Sequence, residues 1–182
     1  MKKPAVFLDR DGTLIEEVNF LSRIEDLRLF PFTSDAVKLL KDNGFLVIVV
    51  TNQSGIARGI YDEAAMHLIH EQIQVELDGA IDAFYFCPHL PKAKCDCRKP
   101  GLGMINLALT DFAIDMSSSW MVGDKKIDVE TGKNAKIRSA LVLTGYGKKH
   151  KPSLKHFPDF ISDNLGDAAT RIVAEHGEAR TK

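Results

Sequence analysis

Residues 5–13 read AVFLDRDGT, and this stretch decides the fold. Its first four residues are apolar, which is typical of a short strand buried on both faces of a sheet. Two aspartates, Asp9 and Asp11, follow at once, and Gly12 and Thr13 then turn the chain. Because ligands bind beyond the carboxyl ends of the strands in open α/β sheets, an acidic pair at a strand end predicts a ligand site there.

Further apolar segments alternate with helical patterns along the rest of the chain. The predicted strands after the first are 45–52, 83–87, 119–124 and 139–145, and the predicted helices are 34–44, 62–77, 104–112, 128–135 and 165–176. This alternation predicts an α/β fold of three layers, with a mostly parallel sheet and helices on both faces. The segments between these elements are short, so we expect a minimal cap over the site.

The second predicted helix, 62–77, carries both apolar residues and histidines. Helical spacing predicts that Leu68 and Ile69 share its buried face. His67 and His70 do not have the spacing of a metal motif, so we expect both to be exposed to solvent.

The bulk composition limits the classes of function. With 182 residues and 45% hydrophobic content, the chain is sized for one domain over residues 1–182. The formal net charge of -1 gives no general attraction to nucleic acid. The N-terminal residues lack the apolar run of a signal peptide or a membrane span, so we expect a cytoplasmic protein with no membrane partner, and a monomer.

Polar side chains follow four of the predicted strands. They are Asp9 and Asp11, then Thr51 to Ser54, then Arg98 and Lys99, and finally Asp124, Lys125 and Asp128. Because the carboxyl ends of parallel strands share one edge of a sheet, we expect one crevice to hold them all. Aspartate oxygens suit Mg²⁺, and a lysine and a threonine hydroxyl suit a phosphate group. The set predicts Mg²⁺-dependent phosphoryl transfer, with Asp9, Asp11 and Asp124 as the metal site.

All three cysteines of the chain lie within eleven residues, in CPHLPKAKCDC at 87–97. Cys87, His89, Cys95 and Cys97 form a Cys3His set, which fills the four positions of tetrahedral zinc and leaves none for water. The pattern therefore predicts structural zinc, which would stabilise a loop over residues 87–97.

These residues together resemble the haloacid dehalogenase superfamily of phosphatases, whose Rossmann-like fold the resemblance implies. The four matching motifs are Asp9 to Thr13, Thr51, Lys99, and Asp124 with Asp128. The segment VTNQSGIARG at 50–59 and the zinc pattern are similar to those of the D-glycero-D-manno-heptose 1,7-bisphosphate phosphatases. The histidinol-phosphate phosphatases share the zinc loop, but their segment after the threonine reads closer to NQDGLG.

The resemblance implies a role for each motif residue. Asp9 would be the nucleophile that forms an aspartyl-phosphate, and Asp11 the general acid and base, with its backbone carbonyl on Mg²⁺. Thr51 and Lys99 would bind the transferring phosphoryl group, and Asp128 would support Lys99 or a metal-bound water.

The resemblance also implies where a phosphorylated sugar would bind. The predicted substrate contacts are Glu17, Asn19, Phe20, Asn52, Gln53, Ser54, Arg98 and Lys125. The implied reaction is removal of the C7 phosphate from heptose bisphosphate, in the synthesis of heptose precursors for lipopolysaccharide or S-layers. Two alternatives stay open: a histidinol-phosphate phosphatase, and a non-enzymatic zinc module that binds nucleic acid or protein on a phosphatase-like scaffold.

Overall fold

The computed structural model of the chain describes residues 2–180. The predicted domain over 1–182 also includes Met1, Thr181 and Lys182, which lie outside the described residues. The strands are β1 (Ala5–Leu8), β2 (Leu46–Asn52), β3 (Ala83–Cys87), β4 (Trp120–Gly123), β5 (Arg138–Val142) and β6 (Phe160–Ser162). The helices are α1 (Thr33–Asp42), α2 (Glu63–Glu76), α3 (Gly103–Asp111), α4 (Lys126–Asn134), α5 (Gly147–His150) and α6 (Leu165–Arg180).

The six strands form one parallel sheet in the order β3-β2-β1-β4-β5-β6. β1 lies inside the sheet, where Val6 pairs with Val47 of β2 on one side and with Trp120 of β4 on the other. The α/β prediction is confirmed. The sequence reading missed β6, whose three residues are too few to show a pattern, and the short helix α5.

The alternating side chains of β1 supply both hydrophobic layers. Val6 and Leu8 pack into the cluster that includes α1 and α6, whereas Ala5 and Phe7 pack into the cluster that includes α3. Successive side chains of a strand point to opposite faces, so a four-residue apolar strand requires cover on both sides. Helices therefore flank the sheet on two faces, as predicted.

The buried face of α2 differs from the predicted one. Its buried residues are Met66, Ile69, His70 and Ile73, which follow helical spacing. Leu68 is 52% exposed, so its predicted place in the core is wrong. The predicted exposure of His70 is also wrong, because the side chain lies under the sheet edge and stacks on Phe84 with ring centroids 4.4 Å apart.

The connections above the sheet edge contain little regular secondary structure. Between β1 and α1 the chain forms a single 3-10 turn at Ile24–Asp26 and a few isolated bridges. The minimal cap is thus confirmed for the described part of the chain.

No helix within residues 2–180 combines the length and the apolar character that are needed to cross a membrane.

Candidate active site

Four strand ends contribute side chains to one crevice. Asp9 and Asp11 follow β1, Thr51 lies near the end of β2, the loop after β3 carries Lys99, and Lys125 follows β4. The crevice is lined by Asp9, Asp11, Thr51, Asn52, Arg98, Lys99, Lys125 and Ile127. The structure therefore brings the predicted catalytic residues together, although they come from distant parts of the sequence.

Lys99 is buried between two carboxylates. Its Nζ lies 2.9 Å from Oδ1 of Asp9 and 2.7 Å from Oδ1 of Asp128. Burial favours the neutral amine, but the charges of Asp128 and Asp9 outweigh it and raise the pKa of Lys99. At Asp9, burial opposes ionisation, but the charges of Lys99 and Lys125 prevail and lower its pKa to about 2. Asp9 is thus an anion at neutral pH, as a nucleophile requires.

Lys125 contacts three carboxylates from the opposite wall. Its Nζ lies 3.5 Å from Asp9, 3.1 Å from Glu17 and 3.4 Å from Asp124. Burial alone would lower the pKa of Lys125, but the charges of Asp9, Asp124 and Glu17 raise it above its usual value. The side chain therefore supplies a fixed positive charge beside the nucleophile.

The carboxylate of Asp124 has the character of a metal ligand. Its Oδ2 accepts a 2.7 Å hydrogen bond from the backbone N–H of Tyr146. Its buried Oδ1 accepts no hydrogen bond within residues 2–180 and faces the ammonium of Lys125 at 3.4 Å. Burial and the charge of Asp9 raise the pKa of Asp124 to about 8. Oxygens of Asp9, Asp124 and Asp128 all lie within 4.8 Å of one another. A hard divalent cation fits this donor set because it would bind Oδ1 of Asp124 and offset the crowded negative charge.

Two glycines make room for the Asp124 carboxylate. Gly12 and Gly145 have φ angles of +84° and +50°, and a Cβ atom on either would collide with Oδ2 of Asp124. The backbone can approach the carboxylate this closely only where a side chain is absent.

The carboxylate of Asp11 is held by Arg10 and Gln53. Nε and Nη2 of Arg10 donate to its two oxygens over 3.1 and 3.0 Å, and Nε2 of Gln53 donates over 2.8 Å. Sequence reasoning gave no role to Arg10, although it lies inside the first motif. His70 contacts Arg10. This contact could not be predicted from the sequence, because helical spacing places His70 on a face of α2 but does not identify its partner.

A second pocket adjoins the crevice and holds most of the predicted substrate residues. It is lined by Asp11, Glu17, Asn19, Phe20, Leu21, Asn52, Gln53, Ser54, Tyr61, Lys125 and Tyr146. All the predicted substrate contacts except Arg98 are in this set, and Arg98 lies in the crevice itself. Sequence reasoning missed Tyr61 and Tyr146, because an isolated tyrosine in a loop carries no motif.

Asn52 joins β2 to the loop that carries Lys99. Its Oδ1 accepts from the backbone N–H of Lys99 over 3.0 Å, and its Nδ2 donates to the carbonyl of Lys99 over 3.3 Å. The side-chain amide thus fixes the backbone at Lys99, in addition to lining the pocket.

The four predicted zinc ligands also converge. The Cys87 and Cys97 sulfurs are 3.1 Å apart, those of Cys87 and Cys95 are 3.6 Å apart, and Nδ1 of His89 lies 3.2 Å from the Cys97 sulfur. Tetrahedral zinc, with Zn–S bonds of about 2.3 Å and Zn–N bonds of about 2.0 Å, holds its ligand atoms about 3.5–3.8 Å apart. The cluster therefore has nearly the size and the chemistry of a structural zinc site.

Comparison with known proteins places the chain beside phosphatases of one family. A family model described as HAD-hydrolase-like matches residues 96–168, which include Lys99, Asp124 and Asp128. One similar solved structure is a crystal structure of D,D-heptose 1,7-bisphosphate phosphatase from B. bronchiseptica, complexed with magnesium and phosphate. It superposes with a TM-score of 0.87 at 29% identity, and the match covers 94% of this chain and 99% of that chain.

Two curated relatives match nearly the whole chain. A D-glycero-D-manno-heptose-1,7-bisphosphate 7-phosphatase from Thermosynechococcus vestitus is 38% identical over 97% of this chain and 98% of the relative. A D-glycero-beta-D-manno-heptose-1,7-bisphosphate 7-phosphatase from Haemophilus ducreyi is 42% identical over 92% of this chain and 97% of the relative. With the aspartates that follow β1, the buried Lys99 and the clustered carboxylates at one edge of the sheet, the chain belongs to the haloacid dehalogenase-like hydrolases, in the family of D-glycero-D-manno-heptose-1,7-bisphosphate 7-phosphatases.

Proposed function

We propose that the protein hydrolyses the C7 phosphate ester of D-glycero-D-manno-heptose 1,7-bisphosphate, a step in making heptose precursors for lipopolysaccharide. The observation that carries this proposal is the position of Asp9, an anion beside two lysines, at the base of a crevice that opens into a polar pocket. The crevice suits a phosphate group, and the pocket suits the hydroxyl groups of a sugar.

Asp9 begins the reaction. One of its carboxylate oxygens attacks phosphorus, the bond from phosphorus to the sugar oxygen breaks, and an aspartyl-phosphate forms. Water then attacks the same phosphorus, releases inorganic phosphate and restores the carboxylate. Asp11 gives a proton to the departing sugar oxygen in the first half and removes a proton from the attacking water in the second.

Lys99, Lys125 and Thr51 stabilise the charge on the transferring group. Both ammonium groups lie within 3.5 Å of Asp9 and would contact the phosphoryl oxygens that approach it. Thr51 Oγ1 accepts a 2.8 Å hydrogen bond from Gln53, so its own hydrogen is free to donate to phosphate. Donors fixed in place before the reaction stabilise a transition state without reorganisation.

Asp9 and Asp124, with the Asp11 carbonyl, would hold Mg²⁺, and Asp128 would stay paired with Lys99. When bound, Mg²⁺ would offset negative charge on the phosphate and on the crowded carboxylates.

Cys87, His89, Cys95 and Cys97 would hold zinc with no part in the chemistry. Its effect would reach the crevice through the chain, because Arg98 and Lys99 directly follow Cys97 and Nη1 of Arg98 donates to the carbonyl of His89 over 3.0 Å. The zinc loop would thus fix the side chains that bind phosphate.

Cys95→Ser is expected to remove zinc and to lower kcat/KM about 10-fold or more, since a loosened loop misplaces Lys99. Metal analysis of the purified protein would measure the zinc, and phosphate release would measure the activity. Lys92→Ser, in the same loop but not a ligand, is the matched control and should keep both. A zinc-free variant with unchanged kinetics would show that the cluster contributes only to stability.

Arg98→Ala is expected to reduce kcat/KM about 10- to 100-fold for the heptose bisphosphate, through loss of charge-assisted hydrogen bonds to its second phosphate or its hydroxyls. For p-nitrophenyl phosphate, which has neither, the reduction should stay within about 3-fold. Arg171→Ala, on the exposed side of α6, is the matched control. Equal losses on both substrates would rule out this role of Arg98.

The substrate proposal is tested by phosphate release from a panel with Mg²⁺ present. Heptose 1,7-bisphosphate should give the highest kcat/KM, above fructose 1,6-bisphosphate and histidinol phosphate. A higher value for histidinol phosphate would establish the alternative branch. Release from none of the three would contradict the enzymatic proposal and leave the binding-module alternative.

A further inference from the structure

The carboxylate of Asp11 is surrounded by donors that the reaction scheme does not use. Its Oδ1 accepts from Nη2 of Arg10, and its Oδ2 accepts from Nε of Arg10 and Nε2 of Gln53. A guanidinium that bridges both oxygens of a carboxylate fixes its plane as well as its position. The orientation of Asp11 is therefore determined by two neighbouring side chains.

Arg10 is itself held by Gln53 and His70. It is 1% exposed, and besides Asp11 it donates from Nη2 to Oε1 of Gln53 over 3.0 Å. Its Nη1 lies 3.2 Å from Nε2 of His70. A guanidinium has only donors, so this imidazole nitrogen must accept. A buried cation with a partner on every nitrogen is a costly arrangement to build, and packing alone does not require one.

His70 has the properties of a fixed acceptor. Burial, and then the charge of Arg10, lower the pKa of His70 to about 2, so the ring stays neutral. It stacks on Phe84 of β3 and contacts His67 edge-on, which fixes the plane of the ring.

Gln53 has no free hydrogen-bonding group on its side chain. Its Nε2 donates to Asp11 and to Oγ1 of Thr51, each over 2.8 Å, and its Oε1 accepts from Arg10 and from the Tyr61 hydroxyl. The residue is 3% exposed, although it borders the sugar pocket. Its amide is thus occupied by residues of the crevice and is not available to a sugar hydroxyl.

We propose that Arg10 and Gln53 are positioning residues, which form a buried clamp that holds the Asp11 carboxylate in line for proton transfer. This inference rests on the proposed function, because it concerns how that reaction is assisted. The clamp explains why Arg10 stands between two functional aspartates, where the chain could have carried a small residue. It also gives Gln53 a role different from the predicted substrate contact.

The clamp acts on both halves of the reaction. In the first half, the proton moves from Asp11 to the sugar oxygen as the bond from phosphorus to that oxygen breaks. In the second half, the proton moves from water to Asp11 as the bond from phosphorus to Asp9 breaks. A nitrophenolate leaving group requires no proton, so with p-nitrophenyl phosphate a misplaced Asp11 slows only the second half.

The test is a double-mutant cycle of Arg10→Met and Asp11→Asn, with Mg²⁺ present throughout. Arg10→Met alone should lower kcat for the sugar phosphate about 10²-fold, the scale of a misplaced catalytic group, with a much smaller change in KM. In the Asp11→Asn background, Arg10→Met should lower kcat by less than about 3-fold, because the residue that Arg10 positions is already inactive. With p-nitrophenyl phosphate, Arg10→Met should show a rapid burst of one equivalent of nitrophenolate before slow turnover.

If Arg10→Met melts below the assay temperature, Arg10→Lys serves in the same cycle, because lysine keeps the charge but cannot bridge both oxygens. Arg171→Met is the surface control and should leave kcat unchanged. Equal losses from the arginine change in the two backgrounds, or no burst, would overturn the clamp while the proposed function stands. An unmodified protein that releases no phosphate would overturn the proposed function, and the clamp with it, before any variant is made.

Discussion

Asp9→Asn is expected to lower kcat at least about 10⁴-fold for every phosphate ester, because an amide oxygen does not displace the leaving group at phosphorus. The change keeps the size of the side chain, and Lys99 keeps Asp128 at 2.7 Å as a partner. The variant should therefore fold. Phosphate release would measure the loss, and the mass of acid-quenched protein would show whether a phosphoryl group is trapped on the chain. The unmodified enzyme should give that adduct, and Asp9→Asn should not.

Asp35→Asn is the matched control for this experiment. Asp35 is an exposed residue in the first turn of α1, so the same chemical change there should leave turnover unaltered. Full activity in Asp9→Asn, or an adduct in that variant, would mean that another group attacks phosphorus and that the proposed mechanism is wrong.

Lys99→Met is expected to lower both activity and stability. Lys99 is the closest cation to Asp128 and to Asp9, and its side chain is 1% exposed. Removal of one member of a buried ion pair leaves uncompensated charge and typically costs about 3–5 kcal/mol of unfolding free energy. The loss of a donor to the transferring phosphoryl group should reduce kcat about 10²- to 10³-fold. Denaturant unfolding and phosphate release measure the two effects separately.

Lys38→Met provides the comparison, because Lys38 pairs with Asp42 at 2.7 Å on the exposed face of α1. Exposed pairs of this spacing contribute about 0.3–0.5 kcal/mol, so the control should change stability very little. If Lys99→Met were as stable as Lys38→Met, the buried carboxylates would have to be neutral in the folded protein, contrary to the low pKa of Asp9.

Much of the fold could be predicted from the sequence, because the longer strands are continuous apolar runs that end in polar residues. The apolar runs ending at Asp9 and Asn52 predicted β1 and β2 within one residue of their bounds. β6 was missed because Phe160–Ser162 is too short for a period to show. In α2, the hydrophobicity pattern could not predict that the polar residue His70 lies on the buried face. His70 is buried there in contact with Arg10, which follows strand β1.

The crevice was predictable for a related reason. Parallel strands bring their carboxyl ends to one edge, so Asp9, Thr51, Lys99 and Asp124 could be grouped before any distance was known. The orientation of side chains was not predictable in this way. The orientation of Arg10 toward Asp11 depends on Gln53 and His70, which lie 43 and 60 positions further along the chain. The inward orientation of the Gln53 amide depends in turn on Arg10.

The order of the strands also bears on self-association. β3 is one edge of the sheet, with a partner on one side only, and its last residue is Cys87. An edge strand offers unpaired backbone groups to other chains and opens more easily than an inner strand. Metal held by Cys87, His89, Cys95 and Cys97 would stabilise the end of this strand. The cluster would then reduce aggregation through the sheet edge, in addition to supporting Lys99. Asp9 directly follows the inner strand β1, which has partners on both sides.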